Sequence, residues 1–165
     1  CGTLEIMKGI WCIVFAHVFR RQFPHRYYIY AEIRAETDAV ILEKTNEFIT
    51  EFERRNYQMD YEIGYIQNEN DILSGVYDNY TNAVILPFKK PKGMDYQILK
   101  AGEYLTGYHK GHWNTIGAAY ERLLEYARCR QIKIDHIFLE TYAVNNLMAE
   151  SIEDYVTEIG VRIIS

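Results

Sequence analysis

Hydrophobic and polar positions along this chain fall into two rounds of the same order. Residues 27–34 alternate, with Tyr27, Ile29, Ala31 and Ile33 on one face and Tyr28, Tyr30, Glu32 and Arg34 on the other, the period of a strand. Thr37-Asp38 then supplies a helix N-cap. Val40, Ile41, Thr45, Phe48, Ile49 and Phe52 recur at three- and four-residue spacing, which predicts an amphipathic helix over 38–56. Arg54-Arg55 places positive charge near its end, where the helix dipole is negative. Residues 61–67 predict the next strand, with Tyr61, Ile63 and Tyr65 sharing a face and Gly64 marking a bulge or a close approach. A polar turn at 68–70, an irregular excursion over 71–81 and a strand over 83–88 follow. Pro87 sets that strand at an edge or a strand end.

After the linker-like stretch 89–93 the order repeats. Residues 96–100 predict a strand, 101–103 a turn, and 104–108 a further strand with Tyr104, Thr106 and Tyr108 on one face. A glycine turn leads to a helix from about 114 to 130, with Ile116, Ala119, Tyr120, Leu123, Leu124 and Ala127 on its apolar side. A strand over 135–144, a turn or short helical excursion over 145–150 and a last strand over 155–164 close the chain. The two rounds share no detectable sequence identity, only their pattern. They predict an α+β domain of two pseudo-symmetric βαββ modules, about 21–90 and 94–165. Two main helices would pack on antiparallel sheet, with a ligand groove between the modules. Residues 1–20 fit neither period and are expected to be an edge strand pair or a packing segment.

The chain has 165 residues, enough for one domain with a real core. Composition adds one outlier, fifteen tyrosines, which is more than a core alone requires and suits a pocket wall. Net charge is −5 with no basic block longer than Arg20-Arg21 or Lys89-Lys90, so direct nucleic-acid binding is not expected. Cys1, Cys12 and Cys129 are odd in number and have no C-x-x-C spacing, which argues against a disulfide framework or a zinc site and fits a reducing cytoplasm. The apolar run 10–19 is too short for a membrane span, which takes roughly 20 residues. No small-x-small cleavage site marks a signal peptide.

The chain carries no Walker A loop, no H-E-x-x-H and no G-x-S-x-G, and its five histidines are scattered, so no metal, cofactor or catalytic residue is assigned. Cys129 is expected to be packing. Glu140 is the informative residue. Alternation sets Phe138, Glu140 and Tyr142 on one face of an apolar strand, so the carboxylate is at least partly buried. Burying it costs several kcal/mol unless it is paired. One reading pairs it with Arg34, Arg162 or a tyrosine hydroxyl. The other keeps it for a guest cation, whose desolvation tyrosine faces and one charge would offset.

Several stretches resemble one family. They are 23–30, which is led by Phe23-Pro24; 101–111, a Gly-x-Tyr strand with its glycine turn; the helix 116–126; Phe138-Leu-Glu-Thr-Tyr142, a Glu-x-Tyr strand; and 153–163. Together they resemble the GyrI-like effector-binding domain of MerR-family multidrug-sensing transcription regulators, over roughly the last 140 residues. The resemblance implies a small-molecule sensor for hydrophobic, cationic, drug-like compounds, with Glu140 meeting the cation and Tyr142 and Tyr155 lining the pocket. Tyr61, Trp113, Phe138 and Tyr108 complete the expected ligand-binding set. The implied setting is cytoplasmic, with a possible homodimer and with DNA reached only through a helix-turn-helix domain that nothing in this sequence resembles. With nothing that resembles the regulators' helix-turn-helix domain or linker, the chain is expected to be an effector domain cut from a regulator, or a free-standing relative; its opening on Cys1 suits a fragment. Two alternatives stand beside the sensor: a hydrolase of reactive small molecules, and a protein-binding module like the gyrase inhibitors.

Overall fold

The computed structural model describes residues 15–33, 37–144 and 150–164. The first round folds as β2 (Arg26–Glu32), α1 (Asp38–Arg55), β3 (Tyr61–Gln67) and β4 (Tyr80–Pro87). The second folds as β6 (Gly102–Lys110), α3 (Gly117–Cys129), β7 (Lys133–Val144) and β8 (Val156–Ile164). β1 (Val18–Phe23) precedes the first round, the short α2 (Glu69–Leu73) stands between β3 and β4, and β5 (Gln97–Leu99) leads into β6. Thr37 caps α1 as expected, its side chain accepting a hydrogen bond from the Val40 amide. The expected polar turn 68–70 and the start of the expected excursion 71–81 together form the helical turn α2, capped by Asn68, whose side chain takes the Asn70 and Asp71 amides. The expected helix start near 114 resolves into a 3-10 turn, Trp113–Thr115, before α3 proper. Residues 145–149, expected to turn, and Arg34 lie outside the described residues.

All strand pairs are antiparallel, in the order β1-β6-β8-β7-β3-β4-β2-β5. Each round contributes three strands with its last strand in the middle, β2-β4-β3 and β6-β8-β7, and the rounds meet where β3 pairs β7. Gly64 makes that meeting possible: a methyl group built on it would stand 2.2 Å from the Glu140 carbonyl oxygen. Of the two readings for Gly64, the close approach is the one found. Pro87 ends β4, but β4 itself lies between β3 and β2, away from any edge.

Part of the unread N-terminal stretch is β1, which pairs with β6 at the far end of the sheet from β2. Only Pro24 and His25 separate β1 from β2. Phe23 faces Gly102, and three residues forward on one strand and three back on the other Arg26 faces Leu99, so one register runs through the break. The Ala101 amide donates to His25 Nδ1 (3.2 Å) across it. β1–β2 and β5–β6 are therefore one bent ribbon, passing from one half of the sheet to the other. The sheet consequently curls: Leu99 of β5 packs in one cluster with Val84, Leu86 and Leu139, although three strands lie between β5 and β7. Both long helices cover the opposite face. There α3 buries Tyr120 and Leu123 against Leu105, Phe138 and Ile159, and α1 buries Phe52 against Ile29 and Ile85.

Candidate functional site

The site grows from a pairing on the helix-covered face. Register sets Glu140 directly opposite Tyr65 on β3 and Ile159 on β8, with Phe138 and Tyr142 two positions away on the same face. Antiparallel partners stand about 5 Å apart, so Tyr65 and Glu140 necessarily adjoin. Glu140 is 3% exposed. Its Oε1 accepts from Tyr120 Oη (2.6 Å) and from Gln67 Nε2 (2.6 Å), and its Oε2 from Tyr80 Oη (3.0 Å). Three elements supply these donors: α3, β3 and β4. Each hydrogen bond to a charged acceptor contributes about 1.5–3 kcal/mol, so three can offset much of the desolvation.

Among the described residues no cation meets this carboxylate. Arg162, one expected partner, turns to Asp135 instead (3.2 Å), and the tyrosine-hydroxyl alternative is the one found. Burial pushes the Glu140 carboxyl up, against the pull of the hydrogen bonds from Tyr120, Gln67 and Tyr80. The phenols around it move the same way. Burial and the nearby carboxylate raise Tyr80 and Tyr120, and burial, helped by Tyr65 and Glu140, raises Tyr142. Of these hydroxyls, those of Tyr80 and Tyr120 donate to the carboxylate.

Aromatic rings close the surroundings. Tyr65 meets Tyr80 edge-on (5.5 Å between centroids) and Tyr142 likewise (6.1 Å), and its hydroxyl pairs with Thr45 of α1 (3.2 Å). Tyr77, from the segment after α2, lies flat on Tyr120 at 5.3 Å, and Phe138 stands 6.0 Å from the same ring. A carboxylate ringed by π faces, with its charge balanced only by neutral donors, is chemically suited to a cation. Gln67 Oε1 is buried and engages no hydrogen bond, which leaves one spare acceptor beside the carboxylate.

The expected residues separate into two groups. Phe138 and Tyr142 stand beside Glu140, and Tyr155, which leads into β8, lies close enough to Tyr142 to help raise its hydroxyl. Tyr61, Tyr108 and Trp113 do not join them. Tyr61 sits four residues along β3 from Tyr65, about 13 Å away. It packs on Phe52 and donates to Glu53 (2.6 Å), and burial, with Glu53 beside it, pushes its hydroxyl up to about 12. Tyr108 is on the other face of the sheet, donating to Glu158 (2.6 Å) and accepting from Arg21 (2.9 Å). Trp113 lies in the 3-10 turn against the His112 ring, 4.1 Å away. Cys129 is exposed rather than packed, its thiol donating to Glu125 (3.0 Å).

Gln67, Tyr80 and Tyr120, the donors to Glu140, and Tyr65, its cross-strand neighbour, escaped the sequence reading. Two signals were present. Gln67 falls on the same face as Tyr61, Ile63 and Tyr65, a polar side chain where the pattern calls for an apolar one. Tyr120 lies mid-stripe on its helix, where a phenol needs a partner for its hydroxyl. Among the described residues no group of three or more His, Cys, Asp or Glu could hold a metal ion, and no helix is long and apolar enough to cross a membrane.

Residues 45–164 match the model of the GyrI-like small molecule binding domain. No curated protein sequence matches the chain. Among solved structures it is similar to the C-terminal domain of EcmrR, with a TM-score of 0.72 at 12% identity over 90% of this chain and 98% of that one. EcmrR in a complex with DNA gives 0.72 at 13% identity, covering 98% of this chain and 69% of that one. A hydrolase from Listeria innocua gives 0.58 at 9% identity, covering 97% and 98% of the two chains. SAV2435 bound to tetraphenylphosphonium gives 0.54 at 14% identity, covering 90% and 94%. At such identities the likeness is one of fold.

Proposed function

Because the chain belongs to the GyrI-like family of small-molecule-binding domains, we propose that it binds hydrophobic, cationic compounds at Glu140, as the effector-binding part of a transcription regulator. The observation that carries the reading is the carboxylate itself: 3% exposed, hydrogen-bonded by three neutral donors and ringed by tyrosines. An ion pair would already have spent this charge. Held by neutral donors, it keeps its net charge for a guest, and π faces offset the guest's desolvation. The fold shared with EcmrR, a protein solved in complex with DNA, supports the regulator setting. The fold shared with SAV2435, solved with a lipophilic cation, supports the ligand class.

Glu140 is closed off, so a guest reaches it only when the layer above it shifts. Tyr120 and the Tyr77 ring stacked on it form part of that layer. Phe138, Tyr142 and Tyr155 would then wall the guest, with Gln67 Oε1 free to accept from an N–H of a protonated amine.

Calorimetric titration with tetraphenylphosphonium tests the reading. Glu140→Gln is isosteric, and the Tyr80 hydroxyl can turn from donor to acceptor to suit the new amide. Binding by the wild type should weaken in this variant by about 1–3 kcal/mol, the cost of removing a desolvated charge's partner. Equal affinity in the two proteins sinks Glu140 as the cation site. The likeness to a Listeria hydrolase favours a second reading, a carboxylate acting on water. Turnover of an ester or epoxide panel, abolished by Glu140→Gln, would select it.

A further inference from the structure

On the face of the sheet away from both helices lies a cavity of about 210 Å³, lined by β5 and by the strands β6, β8 and β7. Leu99, Ile137 and Leu139 form its apolar floor, and Leu99 and Leu139 are 5% and 6% exposed. Leu139 immediately precedes Glu140, so the two side chains leave the strand on opposite sides. The sheet stands between this cavity and the carboxylate.

Gly160 opens the space. It lies within β8, a central strand, where glycine costs stability and contributes no packing. Its backbone lies outside the left-handed region, and a methyl group built on it meets nothing nearer than 3.9 Å, at Thr106. Neither conformation nor crowding calls for glycine here, unlike at Gly64. What the missing side chain leaves is volume.

The lining is also unbalanced in charge. Arg162 donates through Nε to Asp135 (3.2 Å), and Asp135 is shared with His136 (2.7 Å). Among the described residues no hydrogen bond engages the terminal nitrogens of Arg162 or the ammonium of Lys100, and both residues line the cavity. Arg26 is next to them, its guanidinium 4.3 Å over the Phe23 ring and 5.6 Å from the ring of Tyr104, with its Nε buried and unpartnered. Of the fixed charges in the lining, two cations, Arg162 and Lys100, thus face one carboxylate, Asp135, with Arg26 over the ring of Tyr104 beside them, in a chain whose net charge is −5.

We propose that this cavity is a second small-molecule site, one that takes a small organic carboxylate with a flat or short apolar body. The carboxylate would sit between Arg162 and Lys100, where charge-assisted hydrogen bonds are available. The hydrocarbon would lie on Leu99 and Leu139 and reach toward Gly160. The volume is below the range of drug-sized sites, roughly 300–1,000 Å³, and suits one aryl ring with a short arm.

The test is an amide-resolved NMR titration of the whole chain with 3-phenylpropanoate, 3-phenylpropanamide and 3-phenylpropylammonium. The carboxylate should give saturable shifts at Gly160, Ile137 and Ile98. The amide should bind there at least about tenfold more weakly, for want of a charge-assisted contact, and the ammonium should leave those signals unmoved. Gly160→Val, suited to a strand and sized to occupy the void, should abolish binding. Lys100→Gln, at an exposed position, should weaken it about threefold. Glu140→Gln should leave it unchanged, which separates this site from the other. Equal affinity for carboxylate and amide overturns the proposal, as does saturation that persists in a folded Gly160→Val, or no saturation by about 10 mM. Should Gly160→Val fail to fold, the amide comparison and Lys100→Gln decide.

Discussion

Gly64→Val will destabilise the protein by about 3 kcal/mol, at the upper end of what overpacking costs, and will weaken cation binding with it. Any β-carbon at this position stands 2.2 Å from the Glu140 carbonyl oxygen, a distance no contact tolerates, and the offending atom is backbone that cannot rotate away. Relief therefore requires β3 and β7 to separate at Gly64↔Thr141 and Tyr65↔Glu140, which belong to the seam joining the two halves of the sheet. That seam also aims Glu140 at Gln67 and Tyr120, so the damage reaches the site. Urea unfolding measures the loss. A thermal midpoint lower by about 6–12 °C is the matching figure for a chain of this size. Glu62→Ala, two residues away on the exposed side of the same strand, should stay within about 0.5 kcal/mol of wild type. A Gly64→Val protein as stable as Glu62→Ala would show that the halves do not meet as described.

Affinity for a permanently charged cation should rise steeply with pH. Burial lifts the Glu140 carboxyl above its ordinary range, so the empty protein holds a proton there at pH values where an exposed glutamate has lost it. A lipophilic cation needs the carboxylate, so binding must expel that proton. Below the raised pKa the apparent dissociation constant of tetraphenylphosphonium should climb toward about tenfold per pH unit, and above it the dependence should vanish. Calorimetry in two buffers of different ionisation enthalpy would report the released proton directly. The stability of the empty protein carries the opposite sign. A carboxyl raised by folding gives its stability in full below the unfolded pKa and loses it as pH rises through the folded one. Glu140→Gln should therefore match wild type in acid and exceed it at neutral pH, while binding the cation less well. A pH-independent affinity, with no proton released, would mean that the three donors already hold Glu140 ionised.

Much of the fold was legible because its signals are local. Alternation over 61–67 gave β3 to the residue, Thr37 announced the start of α1, and the Glu-x-Tyr strand identified β7. Pairing was legible only in part, because it joins residues far apart. Nothing near Val18 says that its strand crosses to β6, and nothing near Tyr80 says that its hydroxyl ends on a carboxylate sixty residues on. Fifteen tyrosines look alike in sequence. Those that reach Glu140 differ from Tyr61 and Tyr108 only in which element carries them and which face they leave. Tyr108 shows the limit clearly. Alternation assigned it correctly to a face with Tyr104 and Thr106, but which face turns toward the helices was decided by α3 settling on Leu105.

The bent ribbon makes each half the custodian of the other's border. β1 precedes β2 in the chain yet extends β6, and β5 precedes β6 yet extends β2. Severed in the 89–93 stretch, the protein would yield two pieces, each carrying the edge strand its counterpart lacks and each exposing an unpaired row of backbone donors and acceptors. Such pieces are built to find one another. The chain thus has the plan of a complementing pair held in one polypeptide, and a dye or reporter divided at this linker would read the closure of the whole sheet.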